Sequence, residues 1–517
     1  MSFAGINRLS TTAANALHQA FGQDDATTMP KPTPIQSVAI PKLYYPPNPS
    51  ALLHAATGSG KSIAYLLPIT ETLWKEVNNG DNNSNDIDAN DKANGMALVL
   101  LPTRELAAQV AGVASVLAPP GMVRLIPRPM DLMTCWKDEV DRGEEIEYYE
   151  KEGIDDEEEG TNSNGVVGKR KYQPRILVGS AKSISTSLFG GGKMPGTPTN
   201  KPQGKELLSS VRWLVLDEVD RLLNVKKSRT DKKKRHEKPA ALLAAAIARL
   251  TVGRVQVIAA SATVGRPLRR ELARVLGLHS SECPETLRGE DEDAALAEKM
   301  KGAKNDDGEQ HIGRAVKIPD TVRNYVLPVD GSTSGSLLTS AAFASKSILS
   351  GNGRRVLLVL TRGSDMKVHN AIGALRHFGI SPEPKSLLDA LEADGTDRLV
   401  EAHRKVSGVE GVGGGVNKRK PNALDGDDDE GYLLVTHEDN IRGLHLDELD
   451  AVIVVGRPGS PDEYTHIAGR TGRAGRKGSV LNVVSFEQAA ALASWTKMLG
   501  VEFLPVNENE VAGVVDG

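Results

Sequence analysis

Cysteine and long apolar segments are both scarce in this chain of 517 residues. Its two cysteines, Cys135 and Cys283, are too few for a disulfide framework, which favours a reducing compartment inside the cell. No apolar run approaches the roughly 18 residues that a membrane-spanning helix needs, so no membrane association is expected. The first twenty residues lack acids, as organellar presequences do, but hold a single Arg. We expect an intracellular protein, with nucleus or cytoplasm favoured and an organelle left open.

Net charge is also low, at −4, although the charges are unevenly distributed along the chain. Residues 138–159 are markedly acidic, whereas residues 226–238 are basic. The length exceeds what one hydrophobic core usually supports and predicts two or three domains. Several polar segments offer too little apolar surface to offset the entropy of ordering them. We interpret these segments as surface insertions or a linker: 78–94, 138–168, 289–313 and 408–431.

Short, fully apolar stretches alternate with helical patterns in both halves of the chain. This alternation is typical of parallel sheets whose two faces are covered by helices. Strands are predicted at 51–53, 96–101, 175–178, 211–216 and 255–259, and then at 356–360, 432–435, 451–455 and 480–484. The two series predict an α/β chain of two tandem domains. Their expected bounds are 1–280 and 320–490, with a linker or insertion at 281–319 and a C-terminal tail at 491–517.

A glycine-rich segment follows the first predicted strand and precedes a helical pattern. Small residues there allow successive backbone N–H groups to converge on phosphate oxygens at the N-terminus of a helix. Lys61 can reach the outer phosphates, and the Ser62 hydroxyl can bind Mg²⁺. The pattern predicts a phosphate-binding loop for a nucleoside triphosphate. Its residues are Ala55, Ala56, Thr57, Gly58, Ser59, Gly60, Lys61 and Ser62.

An acidic pair, Asp217 and Glu218, directly follows the predicted strand at 211–216. A carboxylate at the C-terminal end of such a strand lies beside the phosphate loop of the same sheet. Asp217 can then hold Mg²⁺, directly or through water, while Glu218 can orient and deprotonate the attacking water. The tripeptide Ser261-Ala262-Thr263 follows the next strand, where it fits a motif that couples hydrolysis to movement.

The second domain contains a loop in which four cations are separated by small residues, at 470–477. Such a loop can be a general phosphate- or RNA-binding surface. Because a phosphate loop lies in the other domain, we interpret Arg470 and Arg473 as arginine fingers. They would stabilise charge on the γ-phosphate when the two domains close.

In identity and order, these segments resemble the motifs of the DEAD-box family of ATP-dependent RNA helicases. The resemblance extends over roughly residues 3–280 and 320–485, and the family's own form of the phosphate loop begins with Ala, as here. Its motifs match the segments at 32–36, 55–62, 102–109, 217–220 and 261–263. The resemblance implies two RecA-like domains with ATP bound between them, and it implies that Gln36 reads the adenine edge.

The chain departs from the family pattern in segments that contact RNA or couple the domains. Ser180-Ala181-Lys182-Ser183 stands where the family has Thr-Pro-Gly-Arg, although Ser180 and Lys182 could still contact phosphates. His437 and Glu438 replace a Thr-Asp pair, His445 replaces an Asp expected near the ribose, and Ile467 replaces an Arg. The ATP-binding half of the pattern is therefore better kept than the RNA-binding and coupling half.

The resemblance implies an RNA-dependent ATPase that uses ATP and Mg²⁺ and separates short RNA duplexes or remodels ribonucleoproteins. RNA would be held mainly by its backbone, and ribonucleoprotein partners are expected. An ATP-gated RNA clamp with little unwinding is the alternative that the departures favour, and a DNA-directed translocase is a third. The basic stretch at 226–235 fits added RNA affinity, a nuclear address or a solvated insertion.

Overall fold

A computed structural model of the chain gives the positions of most of both predicted domains. It describes residues 31–44, 49–56, 58–79, 95–119, 121–129, 146–148, 168–170, 174–189, 202–224, 236–289, 318–331, 333–351, 354–391, 431–444, 446, 449–472 and 476–515. None of the helices in these ranges has the length and apolar character needed to cross a membrane.

The first domain is built on a seven-stranded sheet with the order β3-β6-β2-β7-β8-β1-β9, in which every pairing is parallel. The strands are β1 (Ala51–His54), β2 (Met96–Leu101), β3 (Val123–Ile126), β6 (Ile176–Ser180), β7 (Val211–Asp217), β8 (Gln256–Ser261) and β9 (Glu285–Leu287). A separate antiparallel pair, β4 (Ile146–Tyr148) and β5 (Gly168–Arg170), lies in the chain between β3 and β6.

Helices connect these parallel strands, as the predicted alternation requires. They are α1 (Pro34–Tyr44), α2 (Lys61–Asn79), α3 (Arg104–Leu117), α4 (Ala181–Phe189), α5 (Pro202–Ser209), α6 (Val219–Leu222), α7 (Pro239–Thr251) and α8 (Arg266–Leu276). Side chains of β2 alternate between two hydrophobic clusters, with Val99 in one and Leu98 in the other. The sheet is therefore buried on both faces.

The second domain repeats this architecture with the order β12-β13-β11-β14-β15-β10-β16, again with only parallel pairings. Its strands are β10 (Val322–Val329), β11 (Arg355–Leu360), β12 (Lys385–Ser386), β13 (Tyr432–His437), β14 (Ala451–Val455), β15 (Gly478–Ser485) and β16 (Phe503–Pro505). Its helices are α9 (Ser334–Ser350), α10 (Val368–His377), α11 (Leu387–Leu391), α12 (Glu438–Ile441), α13 (Pro461–Ala468), α14 (Phe486–Ala493) and α15 (Thr496–Leu499).

The predicted fold class, two tandem α/β domains with parallel sheets, is confirmed, and each predicted strand overlaps an observed one. The longest strand that the sequence did not predict is β10, whose apolar residues are interrupted by Asn324 and Pro328. The edge strands β9 and β16 lie beyond residues 280 and 490, so each sheet receives a strand from a segment expected to be linker or tail. The domain bounds stay predictions.

Candidate active site

The predicted phosphate loop connects the C-terminal end of β1 to the first turn of α2. Gly58 and Gly60 have φ angles of 81° and 83°, in the left-handed region that glycine adopts readily. A Cβ atom on Gly60 would lie 2.2 Å from Gln36 Nε2, so the space at this position admits only a hydrogen. The loop therefore depends on glycine both for its backbone angles and for its contact with α1.

Two polar side chains brace the loop from the segment before β1. Thr33 Oγ1 donates a hydrogen bond to Ser59 O over 2.7 Å, and Gln36 Nε2 donates to Gly60 O over 3.1 Å. Gln36 Oε1 in turn accepts from Thr33 N, so both ends of this buried amide are engaged. Gln36 thus supports the carbonyl side of the loop, and its predicted role in reading adenine stays a prediction.

Lys61 lies at the start of α2 with its side chain folded over the loop. Its Nζ donates to Ala55 O at 2.8 Å and to Ala56 O at 2.7 Å. The residue is 6% exposed, so water screens the charge of its ammonium group less than it would at the surface. The structure therefore places one buried cation at the predicted phosphate site.

Asp217 and Glu218 stand at the end of β7, as predicted, and both are buried. Asp217 Oδ1 accepts from Glu218 N at 2.9 Å, and Asp217 Oδ2 accepts from the Tyr65 hydroxyl at 2.8 Å. Burial raises the pKa of Asp217, against the opposing effects of the Lys61 charge and of the Tyr65 hydrogen bond. Hydrogen bonds from the protein therefore fix both oxygens of the Asp217 carboxylate.

Glu218 adopts a left-handed backbone conformation, with φ 51° and ψ 50°, immediately before α6. Its Oε2 atom is buried and has no hydrogen-bond partner among the described residues. Burial, followed by the nearby Asp217 charge, raises the pKa of Glu218. A strained backbone and an unsatisfied buried oxygen both cost stability, and such costs concentrate at functional sites.

Asp220 joins the acidic motif to the predicted coupling tripeptide and to the second domain. Its Oδ1 accepts from Ser261 Oγ at 2.8 Å, and its Oδ2 accepts from Thr263 Oγ1 at 3.2 Å. On its other side, the guanidinium of Arg442 lies 3.7 Å from Asp220 Oδ2. One carboxylate thus contacts β8 within its own domain and an arginine from the other domain.

His466 lies in α13, and Arg470 lies just after the end of that helix. Both residues are buried. Arg470 Nε donates to His466 O at 2.9 Å. Burial, together with the positive charges of Arg442, Arg470 and Arg221, lowers the pKa of His466 to about 3. The histidine is therefore neutral at physiological pH, and three arginines from the two domains converge around it.

Further contacts join the domains beside this site. The Arg221 guanidinium donates to Asp439 O at 2.8 Å, and Asn440 Nδ2 donates to Glu105 Oε1 at 2.7 Å. Gly443 has a φ of +84°, and a Cβ atom there would lie 3.1 Å from a methyl group of Leu106. A small residue therefore allows the second domain to approach the first closely.

The structure brings together most of the residues predicted from the sequence, although their roles stay predictions. The loop, Lys61, Asp217 and Glu218 form one group in the first domain. Arg470 lies with Arg442 and Arg221 around His466, and Arg442 lies 3.7 Å from Asp220, which is next to that group. Thr57, Arg473 and His445 lie outside the described residues, as do the basic stretch at 226–235 and most of the predicted insertions.

Two of the departures from the family pattern have structural roles of their own. Ser180 is buried, and its hydroxyl bonds to Ser183 at the start of α4, whereas Lys182 is exposed. Glu438 accepts hydrogen bonds from the backbone N–H groups of Arg362 and Gly459. Of the two residues considered for phosphate contact, only Lys182 is open to solvent.

Several residues at the site were not identified from the sequence. Tyr65 lies one helical turn after Lys61, and the apolar pattern of this helix predicts an ordinary core residue there. Arg221, Asn440 and Glu105 contribute to the contact between domains, yet their partners are distant in the chain. One signal was present in the sequence, because polar Asn440 stands where the family pattern has Ala.

The oxygen donors at this site fit Mg²⁺. A carboxylate and a hydroxyl, from Asp217 and Ser62, are hard ligands of the kind this ion prefers, and Mg²⁺ usually keeps several waters and substrate phosphates as its remaining ligands. The described residues contain no group of three or more His, Cys, Asp or Glu that could hold a metal ion.

Comparisons with known proteins agree with this fold. The family description "DEAD/DEAH box helicase" matches residues 33–270. "ATP-dependent RNA helicase dbp7" of Schizosaccharomyces pombe is 25% identical over 506 residues, covering 93% of this chain and 58% of that protein. "Probable ATP-dependent RNA helicase YfmL" of Bacillus subtilis is 23% identical over 487 residues, covering 94% of this chain and 93% of that protein.

Among solved structures, S. cerevisiae Dbp5 bound to RNA and ADP BeF3 has a similar fold. The TM-score is 0.54 at 17% identity, and the comparison covers 100% of this chain and 98% of that one. The fold is that of two tandem RecA-like domains, with the predicted phosphate loop in the first domain and Asp220 of its acidic motif beside Arg442 of the second. More specifically, residues 33–270 of the chain match the DEAD/DEAH box helicase family.

Proposed function

We propose that this protein is an ATP-dependent RNA helicase that couples ATP hydrolysis to local unwinding of RNA duplexes or to remodelling of ribonucleoproteins. The S. pombe and B. subtilis relatives are named ATP-dependent RNA helicases, and the chain spans 58% of the length of the former. The match of residues 33–270 to the helicase family supports the class of reaction, while the site supports the assignment of individual residues.

The observation that carries the proposal is the position of Asp220. Its carboxylate contacts Ser261 and Thr263 on one side and lies 3.7 Å from the Arg442 guanidinium on the other. A change at the neighbouring Asp217 and Glu218 therefore has a direct route to the second domain. A contact that forms on closure is the kind of differential interaction that couples a ligand to domain closure.

The residues of the chain divide the chemistry among them. Lys61 would exchange its bonds to Ala55 O and Ala56 O for phosphate oxygens. Glu218, with its unpartnered oxygen, would orient the attacking water and accept its proton. Arg470 and Arg473 would stabilise the charge that develops on the γ-phosphate.

Ser62 and Asp217 would hold Mg²⁺, which when bound supplies positive charge to the phosphate oxygens. Gln36 would contact the adenine while bracing Gly60, so that base recognition and the shape of the loop depend on one side chain. The whole loop from Ala55 to Ser62 would enclose the phosphates.

RNA is the proposed polynucleotide, held by its backbone across both domains, with ribonucleoproteins as the proposed partners. The solved Dbp5 structure is described as bound to RNA and ADP BeF3, which supports this direction. The exposed Lys182 at the start of α4 is one candidate phosphate contact. The intracellular location expected from the sequence stays a prediction.

ATP turnover with and without RNA tests the proposal. We expect RNA to stimulate turnover, and Lys61→Ala or Glu218→Gln to abolish it, because each removes a group from the reacting centre. Lys497→Ala, a change of an exposed lysine on α15, is the matched control and should leave turnover unchanged. RNA-independent turnover would contradict the proposal, and stimulation by DNA alone would favour the translocase.

The alternative, an ATP-gated RNA clamp, is favoured by the contacts between the domains. The bonds of Asn440 to Glu105 and of Arg221 to Asp439 O stabilise the closed arrangement independently of a nucleotide. A closed state with such contacts would open slowly after hydrolysis. Separation of a short RNA duplex distinguishes the two functions, since a clamp would retain RNA with ATP without separating the strands.

A further inference from the structure

The phenol of Tyr65 occupies an unusual position for a residue in an apolar helix. Its ring belongs to the hydrophobic core of the first domain, and the residue has no exposed surface. Its hydroxyl nevertheless donates to Asp217 Oδ2 at 2.8 Å, and the Ser62 side chain lies near enough to oppose the rise in pKa that burial imposes on the phenol. The hydroxyl therefore contacts one of the two residues to which the proposed function assigns Mg²⁺ and lies beside the other.

The hydroxyls of Ser62 and Tyr65 and the carboxylate of Asp217 can form a chain of hydrogen bonds that all point in one direction. A phenol has one hydrogen to donate and can also accept, so Ser62 can donate to Tyr65 while Tyr65 donates to Asp217. The other oxygen of Asp217 is fixed by the backbone N–H of Glu218 at 2.9 Å. With both oxygens bonded, the carboxylate cannot rotate without losing a buried hydrogen bond.

We propose that Tyr65 is a positioning residue, whose hydroxyl sets the spacing of the Ser62 hydroxyl and the Asp217 carboxylate for Mg²⁺ bound with the nucleotide. This inference rests on the proposed function. Groups that orient metal ligands commonly change metal affinity by tenfold or more when they are removed, although they never touch the metal. The competing explanation is that Tyr65 only fills the core, and phenylalanine would fill that space equally well.

Tyr65→Phe isolates the hydroxyl because it keeps the ring and deletes one oxygen. Binding of a fluorescent ADP analogue is measured while Mg²⁺ is titrated, and again in EDTA. We expect the Mg²⁺ concentration for half-maximal enhancement of binding to rise about tenfold in the variant, with binding in EDTA unchanged. The increase in thermal midpoint produced by Mg²⁺ with ADP gives a second readout and should shrink in parallel.

Tyr464→Phe is the matched control. Tyr464 is also fully buried, and its hydroxyl donates to Asn324 Oδ1 at 2.7 Å within the second domain. Both variants lose one buried phenol hydroxyl and should show comparable decreases in thermal midpoint, but only Tyr65→Phe should change the Mg²⁺ dependence.

Two results would overturn the role of Tyr65. One is a Mg²⁺ titration of Tyr65→Phe that superimposes on that of the wild type, and the other is an equal shift in Tyr464→Phe. In either case, nucleotide binding by the wild type would leave the proposed function standing. A wild-type chain that bound no nucleotide with or without Mg²⁺ would reject the proposed function and this role together.

Discussion

Asn440 Nδ2 donates to Glu105 Oε1 over 2.7 Å, and this bond joins two residues that are 335 positions apart in the chain. Glu105 lies in the first turn of α3, and Asn440 lies in the short helix α12 of the second domain. Burial raises the pKa of Glu105, and the bond from Asn440 opposes that rise by stabilising the charged form. We call this hydrogen bond between the two domains the Asn440–Glu105 latch.

Asn440→Ala should shorten the lifetime of the closed complex with RNA and a non-hydrolysable ATP analogue. Loss of a hydrogen bond to a charged acceptor costs about 1.5–3 kcal/mol, which corresponds to release of fluorescent RNA that is roughly tenfold to hundredfold faster. Glu105→Gln keeps an acceptor oxygen and is the conservative control, for which we expect a smaller effect. Release at the wild-type rate from Asn440→Ala would show that the latch does not stabilise closure.

Gly60→Ala should abolish nucleotide binding while leaving most of the fold intact. The added Cβ would lie 2.2 Å from Gln36 Nε2, so the Gln36 amide must move and lose its hydrogen bond to Gly60 O. Gly253→Ala is matched for backbone strain, since its φ is +78°, but its Cβ would meet no heavy atom within 4 Å. We expect the control to lose about 1 kcal/mol of stability and to bind nucleotide normally, and equal binding by both variants would refute this account of the loop.

Glu218→Gln should stop turnover and yet raise the thermal stability at pH 7.5. Since the folded-state pKa of Glu218 is raised, its ionisation opposes folding once the pH exceeds the ordinary value of 4.5. The neutral amide removes this cost, so we expect a higher thermal midpoint for the variant than for the wild type. The gain should shrink as the pH falls towards 4.5, and a gain independent of pH would exclude the charge as its cause.

His466 makes stability sensitive to acid because its folded-state pKa of about 3 lies below the ordinary value of 6.5. Below pH 6.5 His466 binds a proton in the unfolded state but not in the folded state, so stability falls as the pH falls through this range. Between pH 7 and 5.5 the loss is on the order of 1 kcal/mol. His466→Asn should reduce the decrease in urea midpoint over this interval, and an unchanged decrease would contradict the assignment.

The repeated apolar strands were sufficient to predict two parallel sheets, because each buried strand carries its own signal in a short window of sequence. β10 escaped prediction since its buried Asn324 interrupts the apolar pattern, and that polar residue is satisfied by Tyr464 from α13. Its partner lies 140 residues away in the chain, beyond the reach of any local pattern.

The candidate site divides in the same way. Lys61, Asp217 and Glu218 could be predicted because their chemistry requires fixed spacings after a strand. Tyr65 could not, since only the packing of α2 against β7 brings its hydroxyl to Asp217. The Asn440–Glu105 latch was equally out of reach, because a contact between domains depends on how both surfaces meet.

Distance between the domains in solution tests the central claim, which is that nucleotide and RNA together close the two domains over the site. Dyes placed at Val252→Cys and Phe378→Cys, both exposed, after Cys135→Ser and Cys283→Ser, report energy transfer between the domains. We predict a single closed state only when an ATP analogue and RNA are both present, and its loss in Arg470→Ala. The same efficiency of energy transfer without ligand, with one ligand and with both ligands would contradict the account.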